Sequence, residues 1–498
     1  MFMLLFSILI VVPILIVGII LFAAFVLVPC AFIFASWYMR IKERKLQRRQ
    51  RDGANVAFFH PHCAAGGGGE RVLWVAIKAI LTRYPDSNIY IYTVETAELK
   101  TILDKVQNQF NVKVPPEKVT LVRLSFPNLI DPKTYPYFTL LMQSLGSMVL
   151  GMEAFMKLNP DVYIDTCGHA FTYPIFRYLA GCPVGCYTHY PIITAAMMRR
   201  VKHRIASYNN SSVIARNPLF TWCKLLYYKL FGWVYGVVGR CAHVVMVNGS
   251  WTEEHVAQLW RPQLAHKVFP PCEVSELKKL RSLVREADPI RILSVAQFRP
   301  EKNHPLMLQA LYELRNLLVK NEQLWNKSAS AFDTALAPQI QLVLVGSCRN
   351  PEDRERVQHL RDLAAHLALE DHVRFELDVP FARLLTLYQT CSLAIHAMWN
   401  EHFGISVVEC MAAGLVTVAH RSGGPLADIV QAAPAPARTG WLAAEPAEYA
   451  RALLEAIALR PDERRQLVET ARASVDRFSQ VEFEKAFMRA VEPLMEMQ

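Results

Sequence analysis

A chain of 498 residues, 52% hydrophobic and 20% charged, is too long for one ordinary core, so two domains with additional elements are expected. The formal net charge of +10 does not indicate nucleic acid, because no run of Lys and Arg interleaved with aromatics matches a known nucleic-acid module. Eleven cysteines, an odd number without a CxxC pair and mostly in apolar contexts such as Cys167, Cys223 and Cys410, argue against structural disulfides and for a reducing compartment.

Met1 to Met39 contains no charged residue. That exceeds the roughly 20 residues a helix needs to cross a bilayer and is too long for a signal-peptide core. Residues 1–39 therefore read as a retained transmembrane anchor, with Pro13 and Pro29 leaving both a single span and a bent hairpin open. Residues 40–52 follow as a basic juxtamembrane segment; between Arg40 and Arg51, Arg40, Lys42, Arg44, Lys45, Arg48, Arg49 and Arg51 stand against Glu43 alone. Such a cluster suits anionic head groups, and Lys and Arg beside a span stay on the cytosolic side, so the remaining chain is expected in the cytosol.

From Gly53 onward short apolar runs alternate with amphipathic stretches, the pattern of an α/β protein with parallel sheets. One series of strands is expected at 56–59, 89–93, 119–124, 162–165, 184–187 and 243–247. A second is expected at 291–296, 341–345, 373–375, 393–396 and 415–419. After the first series Asn248-Gly249-Ser250 leads into a helix, with Ser250 and Glu253 spaced as a capping box. Pro270-Pro271 suits neither a central strand nor a helix interior and marks a junction. The division expected is an N-terminal domain over 53–275, a C-terminal domain over 276–462, and helices over 463–498 that return to the first domain. Leu467, Val475, Phe478, Phe483, Phe487 and Leu494 recur in that tail at roughly helical spacing. Residues 135–156 and 220–238 are rich in Leu, Met and aromatics with few charges; they read as helices at a water–lipid boundary or as buried helices. Residues 326–337 read as a solvated loop.

Four glycines, Gly66, Gly67, Gly68 and Gly69, then Glu70 and Arg71, separate the first strand from an apolar helix beginning near Val72. Backbone amides can approach a phosphate closely there, aided by the helix N-terminus; a tight turn without a ligand is the alternative. The loop has neither the third glycine of the dinucleotide fingerprint nor the Gly-Lys-Ser/Thr of a P-loop. The second domain opens with Arg299 and Lys302 in its first strand-to-helix loop, at the carboxyl edge where ligands of α/β domains bind. They suit a diphosphate, Arg by its fork and Lys as a point charge, with solvated surface charge as the alternative.

The strongest signal is Glu401-His402-Phe403-Gly404-Ile405-Ser406-Val407-Val408-Glu409, directly after the strand at 393–396. Ile405, Val407, Val408 and Met411 predict a buried helix from near Gly404 to Gly414. Glu401 then lies ahead of the helix facing a sugar, while Glu409, two turns in, accepts hydrogen bonds from ribose hydroxyls. Phe403, Gly404, Ile405 and Ser406 complete the donor site, their amides facing phosphate charge. A second Gly-rich turn, Ser422-Gly423-Gly424-Pro425, opens the next helix. The sequence has no Asp-x-Asp and no zinc spacing of His and Cys, so no metal site is expected. Catalysis then rests on positioning and on cations and amides that hold a departing diphosphate.

Two α/β domains with a Glu-x7-Glu motif and Gly-rich loops at both openings resemble the retaining GT-B glycosyltransferases, from about Asn55 to the end. His60-Pro61-His62, the stretch from Gly66 to Val72, Thr188-His189-Tyr190-Pro191, the stretch from Arg299 to Pro305 and that from Glu401 to Pro425 are similar, more narrowly, to the asparagine-linked glycosylation mannosyltransferases acting on dolichol-linked oligosaccharide. The resemblance implies two facing Rossmann-like domains and retaining α-1,2 transfer of mannose from GDP-mannose, without a cofactor. It implies Man3GlcNAc2- and then Man4GlcNAc2-diphosphodolichol as acceptors, at the cytosolic face of the endoplasmic reticulum membrane, with other lipid-linked-oligosaccharide mannosyltransferases as partners. Glu401, Lys302 and Arg299 then form the catalytic set, Glu401 on the mannose and the two cations on the diphosphate, with Glu409 on the ribose. Gly66, Gly67, Gly68, Gly69, Glu70, His169 and His189 line the cleft toward the acceptor, and the donor phosphate itself helps deprotonate the acceptor hydroxyl. Many relatives carry the Arg two residues earlier, where this chain has Gln297. The motifs leave open another nucleotide sugar with a glycolipid acceptor, or a non-catalytic membrane scaffold.

Overall fold

The computed structural model describes residues 38–39, 53–204, 216–260, 265–284, 289–325, 340–348, 350–434 and 436–497. All of the expected anchor except Tyr38 and Met39, the basic segment 40–52 and the loop at 326–337 lie outside the described residues. Among the described residues no helix is long and apolar enough to cross a membrane.

Short apolar runs bounded by Gly, Pro and Asn bury both faces only in a parallel sheet covered by helices on either side. The first half follows that rule: β1 (Asn55–Phe59), α1 (Gly68–Arg83), β2 (Asn88–Thr93), α2 (Leu99–Phe110), β3 (Val119–Arg123), α3 (Thr139–Lys157), β4 (Val162–Asp165), β5 (Val184–Thr188), α4 (Ala195–Lys202), α5 (Pro218–Gly239), β6 (Val244–Val247), α6 (Ser250–Trp260) and β7 (Ala265–Lys267). The second half runs α7 (Val274–Lys278), β8 (Ile290–Val295), α8 (His304–Trp325), β9 (Ile340–Gly346), α9 (Pro351–His366), β10 (Val373–Leu377), α10 (Phe381–Thr390), β11 (Leu393–His396), α11 (Ile405–Ala413), β12 (Val416–His420), β13 (Trp441–Ala443), α12 (Pro446–Ile457), α13 (Pro461–Ser474) and α14 (Gln480–Glu496). The strand series expected from sequence are all present; the short edge strands β7 and β13 are additions.

Among the described residues the strands form two sheets, ordered β3-β2-β1-β4-β5-β6-β7 and β10-β9-β8-β11-β12-β13, with every pair parallel. Strand order reverses between β1 and β4 in one and between β8 and β11 in the other. At such a switch point the loops leaving the two strands splay to opposite faces and open a crevice at the carboxyl ends. The glycine loop leaves β1, the Arg299–Lys302 loop leaves β8 and the Glu401 loop leaves β11, so the topology alone places these motifs at crevices.

Two expectations are corrected. Ser250 is the first residue of α6, and its hydroxyl bonds Asp428 at 2.6 Å instead of capping the helix. The return to the first sheet also begins later than residue 463. α13 stays on α11 and β12, where the Arg472 guanidinium binds the carbonyls of Ala412 and Ala413 at 3.1 and 2.9 Å and so satisfies the open end of α11. α14 alone crosses over: Phe483, Phe487, Val491 and Leu494 are buried with α1 and with Val244 and Met246 of β6.

α3 and α5 each bury one face and leave the other exposed. Leu150 and Ala154 of α3 and Tyr228, Phe231 and Tyr235 of α5 pack in one core with Trp260. The other face of α5 exposes Leu219, Trp222, Leu226, Leu230, Trp233 and Val237, spaced three and four apart in a continuous apolar stripe. α3 exposes Met142, Leu145, Val149 and Met156 beside it, the two helices joined by the Leu141 amide donating to the Tyr227 hydroxyl at 3.2 Å.

Phe487→Ala is expected to cost about 3–5 kcal/mol, the usual penalty for an emptied aromatic site in a core. Truncation after Arg477 should make the amides of β5 and β6 exchange with solvent faster than those of β8 and β11; equal exchange in the truncated and full chains would remove α14 from the first core.

Candidate active site

Glu401 is built by three loops of the second sheet. β11 delivers the chain at His396, and Gly404, at φ +116, makes the left-handed entry into α11 that a side chain resists. The helix ends at Gly414, so its limits match the sequence pattern. Between these points the backbone is clamped by the Ser422–Gly424 turn: the Asn400 amide donates to Ser422 Oγ at 2.7 Å and the Gly424 amide to the Glu401 carbonyl at 2.7 Å. A Cβ at Gly424 would stand 2.2 Å from the Phe403 carbonyl oxygen, so only glycine lets the turn approach this closely.

The Glu401 side chain, 13% exposed, meets Lys302 Nζ at 2.5 Å and His396 Nε2 at 3.1 Å. Both contacts fall on Oε2, and the imidazole must donate because a carboxylate only accepts. Burial would raise this carboxyl, but the Lys302 ammonium and the His396 hydrogen bond outweigh it and hold it well below the usual carboxylate range. Lys302 is thereby fixed at the mouth of β8. Arg299 is not part of this pair: it bonds Glu301 at 3.3 Å on the rim with about a third of its side chain exposed. Phe403, expected at the donor, instead buries its ring among Phe269 and Phe478, with centroids 5.7 and 5.2 Å away. Ile405 and Ser406 form the first turn of α11.

On the first sheet a polar chain joins the loops after β1, β4 and β5. Glu70 Oε1 lies 3.5 Å from His60 Nε2, His60 Nδ1 bonds Thr166 Oγ1 at 2.8 Å, and His189 Nε2 donates to the Thr166 carbonyl at 3.1 Å. Burial opposes the charge on Glu70, yet the His60 contacts and nearby amides lower its pKa. The Gly67 amide donates to Glu70 Oε2 at 2.5 Å. The N-terminal end of α1 thus already holds a negative group, the place a phosphate was expected to take. His169 packs edge-on to Phe59 at 5.4 Å. Burial lowers both His169 and His189 to about 4, so both rings are neutral at pH 7.

The two halves meet across these loops. Gly68 lies against Ile405, and the Tyr190 ring stacks on His402 at 4.8 Å. Asp428 accepts from the Ser250 amide and hydroxyl at 2.8 and 2.6 Å. Arg71 bridges Glu409 at 3.2 Å and Glu273 at 3.0 Å. Burial raises the Glu409 pKa against the pull of Arg71. Sequence reasoning missed Arg71, His396 and Asp428; adjacency of Arg71 to the glycine loop and of His396 to the Glu401 loop were the available signals.

Two facing doubly wound sheets, with a fixed cation–carboxylate pair and glycine-lined loops at their carboxyl edges, define a GT-B glycosyltransferase. Sucrose-phosphate synthase from Thermosynechococcus elongatus shares the fold, with a TM-score of 0.62 at 17% identity over 89% of this chain and 100% of that one. Residues 53–260 match the family described as ALG11 mannosyltransferase N-terminus, and residues 277–474 that described as Glycosyl transferases group 1. The chain is 41% identical over 472 residues to the GDP-Man:Man(3)GlcNAc(2)-PP-Dol alpha-1,2-mannosyltransferase of Homo sapiens, covering 93% of this chain and 92% of that one. The Mus musculus enzyme of the same name is 42% identical over 465 residues, with 92% and 91% covered. The chain belongs to the ALG11 mannosyltransferase family.

Gly424→Ala is expected to shift the Glu401 loop and cost roughly 100-fold in turnover, the scale of a misplacement near 1 Å, with the melting temperature as the folding control. Because His169 and His189 titrate near 6.5 when unfolded and near 4 when folded, their contribution to stability is complete above pH 6.5 and is lost as pH falls toward 4. The thermal midpoint should therefore drop across that window, and less so in His169→Gln; identical slopes for variant and parent would exclude His169 as a source.

Proposed function

We propose that this chain transfers mannose from GDP-mannose in α-1,2 linkage, with retention of configuration, to Man3GlcNAc2-diphosphodolichol and then to the Man4GlcNAc2 product. The observation that carries the reading is the extent of the similarity: 41% identity runs over 93% of the chain, so it includes the acceptor-side sheet as well as the nucleotide-side one. Lys302 offers the departing diphosphate a fixed positive charge that needs no reorganisation as the bond breaks. Arg299 on the rim joins it, and the amides at the start of α11, at Ile405 and Ser406, meet the phosphate charge. Glu401 positions the mannose through Oε1, the oxygen not held by Lys302 or His396. Glu409 takes the ribose hydroxyls, with Arg71 holding its carboxylate in place. The acceptor hydroxyl approaches from the loop of Gly66, Gly67, Gly68 and Gly69, past His189 and His169, and the donor phosphate takes its proton.

The enzyme works on the cytosolic face of the endoplasmic reticulum, with residues 1–39 as anchor, residues 40–52 on anionic head groups, and the open faces of α3 and α5 at the bilayer boundary. Purified protein given GDP-mannose and Man3GlcNAc2-diphospho-phytanyl should add two mannoses that an α-1,2-specific mannosidase removes; no incorporation in detergent or lipid overturns the reading. GDP should raise the melting temperature and UDP should not. Glu401→Ala should lower turnover by roughly 100-fold or more without unfolding the chain, and parental turnover would take Glu401 out of the mechanism.

A further inference from the structure

From Thr166 to Thr252 the sequence contains no Asp or Glu, yet it carries nine Lys and Arg between Arg177 and Arg240. Three of these cations, Arg199, Arg200 and Lys202, lie on α4, and Arg204 follows directly after it. Val201 is buried and Thr194 caps the helix by accepting from the Met197 amide at 3.1 Å, so the fold of α4 does not depend on its cations. Arg199 and Lys202 are exposed, and among the described residues no carboxylate pairs with Arg199, Arg200 or Lys202.

The position of α4 gives these charges a use. On one side it borders the cleft: the Arg200 guanidinium lies 3.8 Å from the centroid of Trp399, two residues ahead of Glu401, and the chain enters α4 from Tyr190, which stacks on His402. On the other side α4 packs against α5, the helix with the open apolar stripe. An acceptor whose tail lies along that stripe and whose glycan enters the cleft must carry its linking group across α4, a span of about 12 Å for eight residues at the helical rise.

Resting on the function proposed above, we infer that Arg199, Arg200 and Lys202 form the binding site for the diphosphate that joins lipid to glycan in the acceptor. A diphosphate is the linker that matches an acid-free surface of Arg forks and a Lys point charge. This site is separate from the donor diphosphate site at Lys302, so one enzyme holds two diphosphates.

The test uses the double variant Arg199→Glu/Lys202→Glu of the full chain in detergent, with phytanyl diphosphate and phytanyl alcohol as probes. The parent should bind the diphosphate at least about tenfold more tightly than the alcohol, the scale of one or two charge-assisted hydrogen bonds, and the variant should lose that preference. The KM for the diphosphate-linked glycan should rise by a similar factor while the KM for GDP-mannose stays unchanged. Equal binding of phytanyl diphosphate by parent and variant overturns the inference. So does a variant that loses only its binding to phosphatidylserine vesicles, which would assign the cations to bilayer head groups. Failure of the parent to transfer mannose would sink the functional reading instead, and the binding comparison still decides the site.

Discussion

A carboxylate removed from water stays ionised only when cations and donors replace its hydration. Glu401 lives under that constraint, and the second half of the molecule is arranged around it. Lys302 has to arrive from the loop after β8, so β8 and β11 must be adjacent; the doubly wound strand order makes them so. His396 has to stand at the end of β11, and the Glu401 backbone has to be held from the far side, which the Ser422–Gly424 turn does. Each element serves the same ion, so Lys302 and Glu401 hold each other in place without a ligand.

The first half solves a related problem with less charge. His60, Glu70, Thr166 and His189 contact one another where three strand ends converge, and burial keeps His169 and His189 neutral. The halves are tied at Asp428 and at Arg71, and α14 carries the end of the chain from the second sheet back to the first. The ties at Asp428 and Arg71 are polar, whereas the seat of α14 on the first sheet is apolar.

The first sheet also explains why α3 and α5 are so apolar. Each closes a core with one face and leaves the other open, and the open faces adjoin. α4 packs on α5 and, through Arg200, meets Trp399 beside the Glu401 loop.

Much of this was legible in the chain itself. The helix from Gly404 to Gly414 shows in its apolar spacing and in glycines at both ends, because periodicity and left-handed backbone are dictated within a few residues. The strand series are equally local. β7 and β13 escaped notice because a three-residue edge strand needs almost no apolar signal. What tertiary structure alone decided is which candidates meet. Lys302 and not Arg299 reaches Glu401, 99 residues away; Ser250 serves Asp428, 178 residues away, instead of its own helix; and Phe403 turns into the core. The sequence by itself determined the elements and the residue types gathered at the strand ends. Charge pairing and burial depend on distances between segments remote in the chain, and those exist only once the sheets have packed.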